Sequence, residues 1–204
     1  MIQNIFEYPF LMRIFNKLLT DKEKLNLIVN KFIYDNKHRL KFNEQHYIHS
    51  MNGNEWYFNC LTNIKIDHLF NMVIPSSVTH LTFGENFDTS IENCIPDSVT
   101  YLTLGEGHSP KLDISIFNQE IKGNLPRNLI YLYLGSNFRK SINCLTENCP
   151  FLEHLELAPS YYEKINSLPN SLKYLTCSGM FYKINKHVIN EKIKIKYVYQ
   201  FYYG

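Results

Sequence analysis

The chain has 204 residues, a formal net charge of +2, 45% hydrophobic and 20% charged residues. That is enough chain for one sizeable core, or for one repeat array with a small appendage. No long basic run and no stretch of 18 uncharged apolar residues occurs. Bulk charge therefore gives nucleic-acid binding no support, and no membrane-spanning helix is predicted.

Asn (23) and Ile (21) are abundant while Ala158 is the single alanine, a bias that makes any isolated Asn or Lys uninformative. The cysteines are Cys60, Cys94, Cys144, Cys149 and Cys177, an odd number with no Cys-x-x-Cys pair. Neither a disulfide framework nor a zinc knuckle is indicated, and reduced, mostly buried thiols are expected. The N-terminus "MIQNIFEYPFLMRIFNKLL" carries Glu7, Arg13 and Lys17 and lacks a basic start and a small-residue cleavage site. It reads as a poor signal peptide, and a soluble cytoplasmic protein is expected.

Residues 1–40 read as helical. Pro9 fits a first turn, and "FLMRIFNKLL" comes next without a glycine. Thr20 and Glu23 have capping-box spacing, and Leu25, Ile28, Val29, Phe32 and Ile33 share one helix face. Two such helices must pack on each other and on the adjoining part of the chain, so 1–48 is read as a helical region and 49–204 as the rest of the molecule. "NGNEW" (52–56) marks a turn, with Trp56 a junction core residue. His46 and His49, with His38 upstream, could be metal ligands, but no Cys or carboxylate pattern supports them, and they read as surface histidines.

From about residue 61 the period changes. The stretches "IPSSVTHLTFG" (74–84), "IPDSVTYLTLG" (95–105), "LPRNLIYLYLG" (125–135) and "LPNSLKYLTCSG" (168–179) repeat one phrase. Aligned, they place Ile64, Leu81, Leu102, Leu132, Leu155, Leu175 and Ile195 in one column, at intervals of 17, 21, 30, 23, 20 and 20 residues. A second apolar column holds Ile66, Phe83, Leu104, Leu134, Leu157, Cys177 and Tyr197; a third holds Leu61, Val78, Val99, Leu129, Leu152 and Leu172. The unit is L-x-x-L-x-L, with Asn86 and Asn137 three residues on in two copies.

This is the leucine-rich-repeat strand pattern. Each short strand has one buried face, cannot bury it alone, and must stack in parallel on its neighbours. The predicted architecture is an α/β solenoid, a leucine-rich-repeat-like stack of six or seven short parallel strands with an N-terminal helical region and a C-terminal capping strand. Asn86 and Asn137 are expected to bond the backbone of adjacent turns. Gly84, Gly105 and Gly135 end three strands. Phe87, Ile91 and Ile95 before Pro96, and Phe117, Ile121 and Leu125 before Pro126, repeat along the return path. Phe70 and Ile74 before Pro75, and Tyr161, Ile165 and Leu168 before Pro169, are shortened copies; Phe138 and Ile142 lead to a looser one at Pro150. Each aromatic is expected to plug the outer side of the coil, and each proline to begin a strand approach without needing a ladder donor. "GHSPKLDIS" (107–115) is a nine-residue excess expected to bulge outward.

With F-N-x-x-I-P and then S-S-V-T-x-L-x-F-G, the stretch "FNMVIPSSVTHLTFGENF" resembles the FNIP repeat, a leucine-rich-repeat relative found mainly in social amoebae and giant viruses that infect them. The resemblance spans roughly residues 61–190 and implies protein recognition, in the host-cell cytoplasm if the source is viral. Many such proteins carry an F-box at the N-terminus. The segment "YPFLMRIFNKLLTDKEKLNLIVNKF" resembles one through Pro9, Leu11, Ile14, Phe15, Leu18, Leu25, Leu27, Val29 and Lys31. It departs from the pattern at Leu11, where an acidic residue is usual. An F-box implies docking onto a Skp-type adaptor of a cullin-RING ubiquitin ligase. The alternative is a helical cap over the first repeat.

No P-loop, G-x-G-x-x-G, G-x-S-x-G or H-E-x-x-H occurs, so no catalytic residue, metal site or cofactor is assigned. Cys144 and Cys149 flank "LTEN" at a strand approach and read as structural. The repeat leaves two columns pointing off the core: Asn63, His80, Tyr101, Tyr131, His154, Tyr174 and Lys194; and Lys65, Thr82, Thr103, Tyr133, Glu156, Thr176 and Lys196. In a leucine-rich-repeat fold these line the concave sheet. His80, Tyr101, Thr103, Tyr131, Tyr133, His154, Glu156 and Tyr174 are the candidate partner-binding residues, because Tyr offers contact area with a polar tip. Rings and β-branched residues also simply suit strands. The predicted function is non-enzymatic binding of a protein, with no nucleic acid and no membrane. Its sharper form is a ubiquitin-ligase substrate-recognition subunit; the alternatives are a free-standing scaffold and, more remotely, an enzyme of unknown class. "KIKIKYVYQFYY" (192–203) reads as a last, half-buried strand with Lys194 and Lys196 outward, blunting edge pairing.

Overall fold

A strand of four or five residues leaves its N–H and C=O groups unpaired on both edges, so its stability comes from the neighbour on each side. A computed structural model describes residues 46–48, 62–66, 74–106 and 115–199, and shows that stacking. Eight strands form one parallel sheet in chain order: β1 (His46–Ile48), β2 (Asn63–Ile66), β3 (His80–Gly84), β4 (Tyr101–Glu106), β5 (Tyr131–Leu134), β6 (His154–Leu157), β7 (Tyr174–Ser178) and β8 (Lys194–Val198). Among the described residues two short helices are α1 (Leu145–Asn148) and α2 (Gly179–Asn185). The chain folds as a parallel solenoid of leucine-rich-repeat type.

The register matches the repeat alignment through all seven aligned copies. Leu81 pairs with Leu102, Leu102 with Leu132, Leu132 with Leu155, Leu155 with Leu175, and Leu175 with Ile195. One strand goes beyond the six or seven expected: β1 pairs with β2, so the sheet reaches into the region 1–48 read as helical. The rest of that region and Trp56, Leu61 and Phe70 lie outside the described residues.

Three kinds of turn recur along the return paths. The first closes when Phe87, Phe138 and Tyr161 donate their N–H to the carbonyls of Gly84, Gly135 and Ala158. The second runs from Ile91 to Cys94 and from Ile121 to Asn124, with Asn93 (φ 55°) and Gly123 (φ 77°) in the left-handed region at matching places. In the next copy the same bond runs from the Leu145 N–H to the Ile142 carbonyl and α1 follows it, so Cys144 and Cys149 flank a helical turn rather than a strand approach. The third is a proline turn: Val78, Val99, Leu129 and Leu172 donate to Pro75, Pro96, Pro126 and Pro169. In the looser copy Pro150 is displaced by one, and Leu152 donates to Cys149 instead.

The return-path aromatics are buried as expected. Phe87, Phe117, Phe138, Tyr161 and Phe181 form a continuous stack with centroids 5.8–6.1 Å apart. The one phenol in it satisfies its hydroxyl by donating to the Lys140 carbonyl at 3.0 Å. Ile91, Ile121, Ile142 and Ile165 line up beside them, also buried. Among described residues the cysteines are free thiols, with Cys149 and Cys177 buried and Cys94 and Cys144 partly so.

Asn86 and Asn137 do not bridge turns; both are exposed. The bridging is done one residue past the plug or at the second turn. Asp88 Oδ1 accepts from the Asn118 N–H (2.9 Å), Asn118 Oδ1 from the Arg139 N–H (2.9 Å), and Asn143 Oδ1 from the Asn166 N–H (2.7 Å). At the far end α2, capped by the Ser178 hydroxyl, places Asn185 fully buried, where it accepts from Ile165 and donates to Glu163 and Phe181.

The excess between β4 and the next coil has its two ends together. Gly105 (φ 82°) is an extra residue where the β3–β4 register slips, and a Cβ built on it would lie 2.7 Å from Ser115 Cβ. Residues 107–114, expected to bulge, are outside the described set.

Candidate protein-binding face

Alternation along each strand turns one residue in two away from the core, and parallel stacking at about 4.8 Å brings those residues into columns. His80 pairs in register with Tyr101, Tyr101 with Tyr131, Tyr131 with His154, and His154 with Tyr174. The side chains keep this order. The His80 and Tyr101 rings stack 4.4 Å apart at 5°, and Tyr101 and Tyr131 lie 5.8 Å apart at 24°. His154 and Tyr174 stack at 4.5 Å and 14°, and Lys194 Nζ sits 5.3 Å from the Tyr174 centroid. Offset stacks of this kind stabilise by about 0.5–1.5 kcal/mol per pair. They also spend the flat faces of the rings on each other. What remains for a partner is edges, hydroxyls and imidazole nitrogens.

Exposure within the face is uneven. Tyr101 (40%) and Tyr174 (41%) are open, as is His80, while Tyr131 and His154 are half-buried. In the second column Thr103, Tyr133 and Glu156 are half-buried, but Lys65, Thr82 and Thr176 are buried, against the expectation that the whole column faces solvent. Tyr197, expected to face the core, is 43% exposed, on the last strand among the described residues.

A 2.9 Å hydrogen bond joins the Thr79 hydroxyl to His80 Nδ1, and partial burial lowers the His80 pKa, which favours neutral imidazole. Beside this face Lys173 and Glu153 form a 2.6 Å ion pair. Lys194 and Thr79 belong to the face through these contacts, although neither is among the candidate residues read from the sequence. Column position alone points to Lys194, whereas Thr79 sits before the strand, where the alternation gives no signal.

Nothing in the face resembles an activated nucleophile. Burial pushes the Cys149 thiol up to about 12 and Cys177 up to about 11, so both stay protonated at neutral pH. Among the described residues no group of three or more His, Cys, Asp or Glu could hold a metal ion. Among them, too, no helix is long and apolar enough to cross a membrane. The adaptor-docking candidates Pro9, Leu11, Ile14, Phe15, Leu18 and Leu25 lie outside the described residues.

The FNIP Repeat family model matches residues 61–107 and 117–149. The gap between the two segments coincides with the excess after β4. Among solved structures, the chain is similar to CroV588, described as a novel circular leucine-rich-repeat protein, with 30% identity and a TM-score of 0.58. The similarity covers 79% of this chain and 24% of CroV588. No curated protein matches the sequence.

Proposed function

Because the chain is an FNIP-repeat protein folded as a leucine-rich-repeat-like solenoid, we propose that it acts without catalysis, by binding a protein across its exposed sheet face. The observation that carries this reading is the ring column over five consecutive strands, in which His80, Tyr101 and Tyr131 stack in one run and His154 and Tyr174 in another, the two joined by the register of Tyr131 with His154. Such a surface offers amphipathic rings already ordered by their neighbours, so binding them costs little side-chain entropy. Thr103, Tyr133 and Glu156 border the column and set its polarity. The finer form of the proposal is a substrate-recognition subunit of a cullin-RING ubiquitin ligase. There residues 8–40 dock a Skp-type adaptor through Pro9, Leu11, Ile14, Phe15, Leu18 and Leu25, in the cytoplasm, where free thiols stay reduced.

Two measurements separate the levels. Affinity capture from amoebal lysate, with the wild-type chain beside a Tyr101→Ala/Tyr131→Ala/Tyr174→Ala variant of unchanged fold, tests the face. A protein retained by the first and lost by the second supports it; identical captures overturn it. Size-exclusion chromatography of the chain with a purified Skp-type adaptor tests the finer form. Failure to co-elute removes the ligase role and leaves the recognition module standing.

A further inference from the structure

Down the inner column Ile66, Phe83, Leu104, Leu134, Leu157 and Cys177 are at most 1% exposed. The next residue in register is Tyr197, at 43%. Tyr182, whose ring meets Tyr197 edge-on at 5.7 Å, is only partly buried, as are Val188, Ile189 and Ile195, and Tyr199 is 72% exposed. Among the described residues the core therefore ends at β8 with these side chains incompletely covered. The backbone is open there as well: β8 pairs with β7 on one edge, and among the described residues no strand lies on the other. Lys194 donates its N–H to the Lys173 carbonyl at 2.9 Å. In a parallel ladder alternate residues serve the same neighbour, so Lys194 and Lys196 serve β7 while Ile195 and Tyr197 aim their N–H and C=O outward.

Charge gives this edge a preference. Exposed Lys192, Lys194 and Lys196 alternate with Ile193, Ile195 and Tyr197, and none of the three lysines is in a salt bridge among the described residues. A second copy laid along the edge would set lysine against lysine, and like charges directly opposite are destabilising.

We propose that the outer edge of β8 receives an extended segment of a partner protein in which acidic and apolar residues alternate. The segment adds a ninth strand by main-chain hydrogen bonds to Ile195 and Tyr197. Its carboxylates stand beside Lys194 and Lys196, and its apolar residues cover Ile195, Tyr197 and Ile189. Lys194, over the Tyr174 ring, joins this edge to the end of the ring column, while the main-chain bonds to Ile195 and Tyr197 do not involve the rings.

The test uses the full chain and labelled synthetic peptides of about ten residues, read by fluorescence anisotropy. One alternates Glu and Val, one has the same composition in two blocks, and one alternates Lys and Val. The alternating acidic peptide is expected to bind at least about tenfold more tightly than the others. Lys194→Glu/Lys196→Glu is expected to reverse the order and favour the lysine peptide, which a loss of folding cannot imitate. Tyr197→Pro removes an outward donor without touching the β7 ladder, and is expected to bind more weakly than Tyr197→Ala. Equal binding of the acidic and lysine peptides, or an unchanged preference after charge reversal, overturns the proposal. So does equal binding by the Pro and Ala variants. A dimer in sedimentation that Tyr197→Pro dissolves would make a second copy the occupant and overturn it too. Slow hydrogen exchange at Ile195 and Tyr197 in the free, monomeric chain would show the edge already covered, with the same consequence.

Discussion

Two stacks of rings run along this molecule, one on each side of the coil. The buried one, Phe87 through Phe181, keeps a near-constant spacing of 5.8–6.1 Å over five coils. The exposed one has two close pairs (4.4 and 4.5 Å) and a looser contact between Tyr101 and Tyr131 (5.8 Å), and mixes His with Tyr. Both inherit their order from the same strand register. The buried stack has to fill a fixed volume at each coil, so only a large ring fits and the repeat holds its spacing. The exposed stack has solvent on one side, and its composition drifts because the fold does not depend on which ring is present. The repeat is thus a scaffold with one invariant and one variable column.

The sharpest way to break the comparison is to truncate one ring from each stack. Phe138→Ala is expected to cost about 3–5 kcal/mol in chemical denaturation. Tyr101→Ala is expected to cost below about 1 kcal/mol. Equal costs would mean the exposed stack is also structural. Next in size is the backbone. Gly105→Ala combines a left-handed φ with a clash on Ser115 and is expected to lose about 2–4 kcal/mol. Gly123→Ala shares the positive φ but meets open space, so about 1–2 kcal/mol is expected, from φ alone. Smaller effects come from titration. Burial raises the Cys149 and Cys177 thiols from 9.0, so the unfolded chain ionises first on alkalinisation. Stability is expected to be fully present below pH 9 and to fall as pH rises toward 11 and 12, with a Cys149→Ser/Cys177→Ser variant showing a flatter profile. The smallest effect is at His80, whose lowered pKa means the unfolded chain takes up protons first. Its contribution is expected above pH 6.5 and lost as pH falls below it, by a shift that His80→Gln abolishes.

The ladder register was legible in the sequence because three apolar columns, a proline turn and a terminal glycine recur together, and tertiary context has little room to move them. β1 was not, since "HYI" carries neither the proline nor the leucine columns and is a strand only because β2 offers it an edge. The helical extension α1 was hidden for a similar reason: Ile142 and Leu145 keep the spacing and the hydrogen bond of the turn that it follows. In the face, column membership was readable but exposure was not. Lys65 and Thr82 share a column with half-buried Thr103 yet are buried, a difference that alternation along the strand does not encode. The bridging role expected of Asn86 and Asn137 falls instead to Asp88 and Asn118, each one residue past a plug, whose carboxylate and amide oxygens reach the next coil.

The meeting of Gly105 and Ser115 has an implication for how such chains are assembled and altered. A thread that departs and rejoins at adjoining points imposes no length requirement on what hangs between them, since loop closure depends only weakly on loop size. The Ser136 amide bonds Ser115, and the Gly135 amide bonds the Leu104 carbonyl, so the ladder runs past the junction as if it were continuous. The junction is therefore a graft point. A folded domain whose termini lie close together could be spliced there and carried at a fixed place at the far end of β4 from Tyr101, turning a solenoid into a mount for foreign cargo.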